Sequence, residues 1–260
     1  MGSYFQAVWR CRYFWLSLVK MDLRSRYRRS VLGLGWSLLH PLAMTAILCT
    51  VFHHLFRMDP TDYGPYLLAG LAFWNYLLTV TLHGCQCYFL AEVYIRQYPV
   101  PLAVYPLRVT LGAMFHFLVT LGVVLALAWY FRGLPNPAAL LSLVPSVAVF
   151  FALGWAVAVL AGLATVFFRD VQQLSEVGFQ ILFYTTPILY TTQTLYDNGL
   201  GWLVACNPLI AFLNLIREPI LDGRVPAAGT YAVALLATSA AAVVAGLALA
   251  RLQRTLIFHL

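Results

Sequence analysis

Apolar stretches of roughly 20 residues, the length that crosses a bilayer core, recur along this chain from residue 34 to residue 250. Lipid offers N–H and C=O groups no partners, so each crossing has to be a helix or a strand of a closed barrel. Barrel strands would alternate apolar and polar residues over about 10 positions. These runs are solidly apolar, which leaves helices. Of the 260 residues 62% are hydrophobic and 10% charged, where a soluble domain carries about 25% charged residues. A soluble chain of this length has no interior large enough for so much apolar side chain.

Six spans are expected, over residues 34–56, 66–90, 107–131, 140–167, 172–190 and 231–250. The last is rich in small residues and suits close helix packing. Residues 198–216 are uncharged and long enough for a seventh, but Asn207-Pro208 interrupts their middle and Arg217-Glu218-Pro219 follows. With six spans and re-entrant or interfacial outer-side helices there, twelve of the 16 Lys and Arg lie inside and four outside, which satisfies the positive-inside rule. The outer four are Arg57, Arg132, Arg217 and Arg224. Both termini are then cytoplasmic. Residues 1–30, with seven basic side chains, lack the uninterrupted apolar core of a cleavable signal. Phe5, Trp9, Tyr13 and Leu16 share one helical face, the pattern of an interfacial helix with Arg12 and Lys20 snorkelling. The fold class expected is all-α integral membrane. One transmembrane domain covers 1–260, with 1–30 as interfacial helix and basic segment and 31–260 as the six-helix body.

No catalytic constellation stands out. Lys20 is the chain's one lysine and no glycine loop precedes it, so no phosphate-binding loop is present and ATP hydrolysis is not expected of this chain. Cys85-x-Cys87 lacks further ligands nearby and reads as packing, and no metal site is expected. His53-His54 reads as an interfacial pair, and His40, His83 and His116 as packing or helix-to-helix hydrogen bonds. A proton-coupled transporter usually carries mid-membrane carboxylates. Glu176, near the cytoplasmic end of span five, is the one loose candidate, which argues for an external energy source.

The stretch Lys20-Met-Asp-Leu-Arg-Ser-Arg-Tyr-Arg-Arg-Ser-Val-Leu-Gly-Leu-Gly-Trp36, with Pro41 after it, resembles the opening of ABC-2-type permeases that export O-antigen, capsule and teichoic-acid polymers. The resemblance continues at Tyr98-Pro99, at Phe168-Arg169-Asp170-Val171, at Pro187-x-x-Tyr190, and at Asn207-Pro208 with Arg217 after it. Val100 departs from it, since many relatives carry arginine there. The resemblance implies a permease of the bacterial cytoplasmic (inner) membrane that works as a homodimer of six-helix subunits. Two copies of a separate ABC nucleotide-binding protein would carry the ATP and Mg, with no cofactor bound by this chain. The cargo would be a lipid-linked glycan, in a channel lined by spans one and five; membrane lipids are further partners, and nucleic acid is not. Exporters of small hydrophobic compounds or lipids, and a non-transporting membrane enzyme or assembly factor, remain alternatives.

On that footing three groups of residues are candidates. Phe52 and Phe56 on span one and Phe179, Phe183 and Tyr190 on span five suit a polymer path, because sugar C–H faces pack on aromatic rings. Aromatics also form the ordinary interfacial belt. Glu92, Arg96, Tyr98 and Pro99 lie in a proline-bounded cytoplasmic loop suited to coupling with the ATPase, with Glu92 and Arg96 four apart on one helical face. Arg24, Arg26, Arg28 and Arg29 suit the pyrophosphate of a lipid-linked substrate or acidic patches on the ATPase. They equally set orientation and bind anionic headgroups, at about 1 kcal/mol per residue.

Overall fold

The computed structural model describes residues 2–28, 33, 35–57, 59–97, 100–133, 136–253 and 255–256, the side chains at 2, 3, 5, 26, 27, 37 and 56 excepted. Among these the chain is helical and has no strand. The helices are α1 (Gly2–Arg10), α2 (Arg12–Tyr27), α3 (Gly35–Phe56), α4 (Pro60–Gln86), α5 (Glu92–Gln97), α6 (Val104–Arg132), α7 (Pro137–Leu141) and α8 (Leu143–Phe167). Then follow α9 (Val171–Thr185), α10 (Thr192–Asp197), α11 (Gly201–Cys206), α12 (Leu209–Leu221) and α13 (Ala228–Leu252). Five segments are long and apolar enough to cross a membrane: Leu38–Leu55 within α3, Pro60–Gln86, Val104–Arg132, Pro137–Phe167 and Ala228–Leu252.

Local chemistry sets the helix ends. The second span was expected over 66–90 and instead runs from Pro60 to Gln86. Pro60 sits at the first helical position, where its missing N–H costs nothing. Asp59 caps it, accepting from the Thr61 N–H at 2.9 Å and the Thr61 hydroxyl at 2.7 Å, which holds its carboxyl below the ordinary carboxylate range. The expected fourth span is split at Ser142, because Pro145 cannot donate to the Leu141 carbonyl one turn back. The expected fifth span stops at Thr185, five residues early. Thr186 precedes Pro187 and is extended, at φ −97° and ψ 134°. Residues 198–216 form no single helix: Asn207-Pro208 separates α11 from α12, and the Asn207 side chain accepts from the Leu209 N–H at 3.0 Å.

α4 is the central helix. Its closest approach is to α8, where Gly154, Ala158 and Gly162 lie one turn apart and let the two backbones meet. Tyr76 fills the notch above Gly154 and donates to the Phe150 carbonyl at 2.9 Å. The small-residue-rich α13, expected to suit close packing, lies against the other side of α8. α13 runs parallel to α8. At its start the Tyr231 hydroxyl donates to the Ser142 carbonyl at 2.8 Å, and at its end Leu249 joins Leu163 and Val166 in one buried cluster. That cluster also holds Val8 of α1, Ile95 of α5 and Leu256, so α1 and the segment after α13 share one end of the bundle, here the near end. At the far end Arg132, closing α6, pairs with Asp62 at 2.6 Å and donates to the Leu221 carbonyl at 2.8 Å.

A β-carbon added at Gly162 would lie 2.9 Å from the Cys87 sulfur, the Gly84 carbonyl oxygen and the Tyr88 ring. Gly162→Val is therefore expected to lower stability by about 1–3 kcal/mol, read as a drop in the thermal unfolding midpoint of the purified protein. Gly112→Ala on α6, with nothing within 4 Å, should leave it unchanged or slightly raised.

Candidate functional site

The broken end of α9 and the helix that braces it form the most structured polar site in the bundle. Residues 186–188 are buried although they belong to no helix; the Ile188 N–H donates to the Thr186 carbonyl at 2.7 Å, and the carbonyls of 187 and 188 need partners from elsewhere. Arg217 of α12 supplies both. Its guanidinium donates to the Pro187 carbonyl at 2.7 Å, the Ile188 carbonyl at 3.2 Å and the Tyr66 carbonyl of α4 at 3.4 Å. It also stacks 3.6 Å over the Tyr66 ring and is 6% exposed, with no carboxylate partner among the described residues. Tyr66 donates to the Tyr190 carbonyl at 2.8 Å and Tyr63 to the Leu189 carbonyl at 2.8 Å. Asn207 donates to the Thr186 hydroxyl at 2.9 Å. Gly70 makes room for this, since a β-carbon there would sit 2.6 Å from the guanidinium. Sequence reasoning had placed Arg217 among four outward charges and missed this role. The signal available was the pairing of a helix-breaking proline with an arginine in an otherwise uncharged apolar segment.

α9 runs antiparallel to α4. Gln86, at the end of α4, donates to Gln172 at the start of α9 at 2.9 Å, and Tyr66 near the other end holds Tyr190. Between them Phe179 and Phe183 both meet Trp74 edge-on, their ring centroids 5.4 Å away. The two span-five phenylalanines thus pack inward on α4. The face of α9 left open carries Leu174, Val177, Ile181 and Tyr184. Tyr190 is half-buried and donates to the Tyr184 carbonyl at 2.7 Å. It does not continue the helical face of Phe183, because the helix has ended before it. On α3, Phe52 stacks on Tyr63 at 5.4 Å, so α3 and α9 flank the same end of α4. The Phe56 side chain lies outside the described residues. Most of α3 is open, with Trp36, Ile47 and Leu55 each more than half exposed.

At the near end, Glu92 and Arg96 pair along α5 at 2.8 Å, on the exposed side of that helix. Tyr98 and Pro99 lie outside the described residues. Ile95 on the other side of α5 is buried beside Val8, and Tyr94 meets Phe14 of α2 edge-on at 6.0 Å. The N-terminal segment is two helices, broken at Cys11. Trp9, Tyr13 and Leu16 are exposed as their shared face predicts, with the Arg12 guanidinium 4.6 Å over Tyr13; the Phe5 side chain is not described. Asp22 holds the Arg108 guanidinium of α6 through two hydrogen bonds, and the Tyr4 hydroxyl accepts from the Ala103 N–H at 3.3 Å. Burial pushes the Tyr4 phenol above its ordinary range. Arg24 and Arg28 are exposed; the Arg26 side chain and Arg29 lie outside the described residues. The Asp22–Arg108 tie joins residues 86 apart, beyond any local pattern.

A bundle with five bilayer-length apolar helices, a buried arginine bracing a proline break and a near-end helix tied on by an ion pair defines a multi-pass membrane protein. Residues 13–221 match the ABC-2 type transporter family, and the chain belongs to it. It is similar to the O-antigen export system permease protein RfbA of Klebsiella pneumoniae, with 27% identity over 209 residues that cover 79% of each chain. It is also similar to the O-antigen export system permease protein RfbA of Myxococcus xanthus, with 24% identity over 213 residues and 81% of each chain.

Removing the guanidinium leaves the carbonyls of residues 66, 187 and 188 short of donors. Arg217→Met is expected to cost about 3 kcal/mol in thermal or denaturant unfolding. Arg217→Lys should recover less than half, because a single ammonium cannot span three carbonyls and stack on Tyr66. Limited proteolysis near residues 186–191 should be faster in both variants.

Proposed function

We propose that this chain is the membrane-spanning permease subunit of an ATP-binding-cassette exporter that moves a lipid-linked, O-antigen-like polysaccharide across the bacterial cytoplasmic membrane. The similarity to O-antigen export permeases over about four fifths of the chain carries this reading. A separate nucleotide-binding protein supplies ATP hydrolysis, since Lys20 here follows no glycine loop.

In this reading α9 with residues 186–190 is the sixth crossing. The antiparallel run of α9 beside α4 supports it, and so does the parallel course of α8 and α13. A chain that leaves α8 at the near end and enters α13 at the far end has to cross the bundle between them. The segment 191–221 is re-entrant. Asn207 meets Thr186 within the bundle, Phe212 stacks on Phe73, and Leu221 has climbed back to Arg132 at the far end. The lysine and arginine bias assigns the near end, with both termini, to the cytoplasm. The subunit works as a homodimer, the open faces of α3 and α9 meeting a second copy around the polymer path. α5 and the N-terminal helices receive the ATPase stroke, and the basic face around Arg24 and Arg28 meets anionic headgroups or a substrate pyrophosphate.

The test is a strain lacking this chain, complemented with variants, and scored for surface polysaccharide and for ATPase activity of the purified complex. The unaltered chain should restore the polymer. Arg96→Ala combined with Tyr98→Ala should assemble and hydrolyse ATP while exporting little. Assembly without surface polymer in the unaltered strain overturns the polysaccharide reading and favours a smaller lipid or hydrophobic cargo. For the topology, cysteines introduced at Gln97 and Gln253 should resist an impermeant thiol reagent in intact cells, and one at Asp222 should react; labelling at Gln253 from outside refutes six crossings.

A further inference from the structure

A cavity of about 190 Å³ lies between α3, α4 and α6, opening beside Trp36 on the exposed face of α3. Its walls carry His40 from α3, Asn75 and Thr79 one turn apart on α4, and His116 on α6, with the rings of Trp36 and Tyr76 beside them. Among the described residues, the Asn75 amide, the His40 ring and the Thr79 hydroxyl make no hydrogen bond. Asn75 and Thr79 are half-buried and His40 is exposed, so these polar groups remain accessible from the cavity. Ionisable side chains within a span, here His40 and His116, are rare and mark functional sites by default.

The lining also says what kind of ligand fits. It holds no Lys, Arg, Asp or Glu, so it offers no fixed charge to a phosphate or an ammonium. It does offer an amide, a hydroxyl and the His40 imidazole as donors and acceptors, together with indole and phenol faces. That combination matches a ring with hydroxyls around its edge and C–H bonds on its faces. Depth agrees with entry from the near end. His40 is in the second turn of α3, while Asn75 and His116 lie about 16–18 Å along α4 and α6 from their near-end termini, at 1.5 Å per residue.

We propose that this cavity binds one uncharged, hydroxyl-rich sugar ring, brought either by the lipid-linked glycan or by the headgroup of a membrane glycolipid. The first source rests on the polysaccharide reading above; the second does not. The experiment uses the complex with its nucleotide-binding partner, in nanodiscs of phosphatidylethanolamine and phosphatidylglycerol. N-ethylmaleimide reaction at position 79 of the Thr79→Cys variant is followed by peptide mass spectrometry, which leaves the native cysteines in place. A neutral mannose tetrasaccharide added to the buffer, or monoglucosyl diacylglycerol added to the bilayer, is expected to slow the reaction. The arm that protects identifies the source. Asn75→Leu should raise the half-protecting concentration roughly three- to tenfold, the loss of one neutral hydrogen bond. Phe115→Leu, on the exposed side of α6, should leave it unchanged. If Asn75→Leu fails to assemble, His40→Leu gives the same comparison. Protection by neither sugar overturns the proposal, as does slowing by phosphatidylglycerol content alone or an unshifted Asn75→Leu. Because alkylation needs no transport, protection without polymer export refutes the polysaccharide reading only, and export without protection refutes the sugar cavity only.

Discussion

Arg217 holds its charge at the centre of the far half of the bundle with three carbonyls and a tyrosine face around it. The need for it arises at Pro187. A proline there ends α9 and frees carbonyls that neither water nor lipid can satisfy in an apolar bundle. Hydrogen bonds from a charged donor are worth about 1.5–3 kcal/mol each, enough to make a buried guanidinium tolerable when all of them form. Several other features follow. α12 has to start deep in the bundle for Arg217 to reach, so the chain dips at Asn207-Pro208 and climbs out again. Gly70 has to lack a side chain, and Tyr63 and Tyr66 have to point their hydroxyls at residues 189 and 190. A break that would weaken an isolated helix becomes the best-braced turn in the subunit.

That brace lies on one flank of a rigid pair. Glycine and alanine along α8 bring its backbone against α4, and Phe73, Phe150 and Phe212 fill the space beside the seam. The near end is closed by a second buried cluster, where α1, α5, the start of α6 and the ends of α8 and α13 meet. A push on α5 therefore reaches the ends of three bilayer-length helices through buried contacts. The Asp22–Arg108 pair ties α2 to the same body, partly out of water where an ion pair keeps more of its strength than an exposed one such as Glu92–Arg96.

Sequence carried the class, the helices and most of their rough positions, because a bilayer-length apolar run has one secondary structure open to it. Boundaries shifted where caps and prolines act: Pro60 started α4 early, Pro145 split the fourth segment, and Pro187 ended α9 early. What stayed hidden were directions and long-range partners. Phe179 and Phe183 sit four apart on any helix, yet nothing in that spacing says whether they face a pore or Trp74. Arg217 counts as one outward charge in a topology tally, since a tally holds no information on burial. The Gly154, Ala158 and Gly162 ridge is legible in the sequence as small residues four apart, but that spacing does not say which helix it meets.

The strength of attachment differs sharply among the helices, and that decides which can move. α8 and α4 interlock backbone to backbone, so separating them would open voids along the whole seam. α9 has no buried residue along its length. It hangs on α4 by Gln86–Gln172 at one end and the residue 186–190 brace at the other, with two edge-on rings on Trp74 between. Each such ring contact is worth about 0.5–1.5 kcal/mol beyond its area, and edge contacts tolerate rotation better than interdigitated packing. α3 is held in a similar way, by Phe52 on Tyr63 and by Cys49 against Gly64. α3 and α9 are therefore freer to rotate than the interlocked α4–α8 pair, while the Arg217 brace keeps the far end of α9 in register.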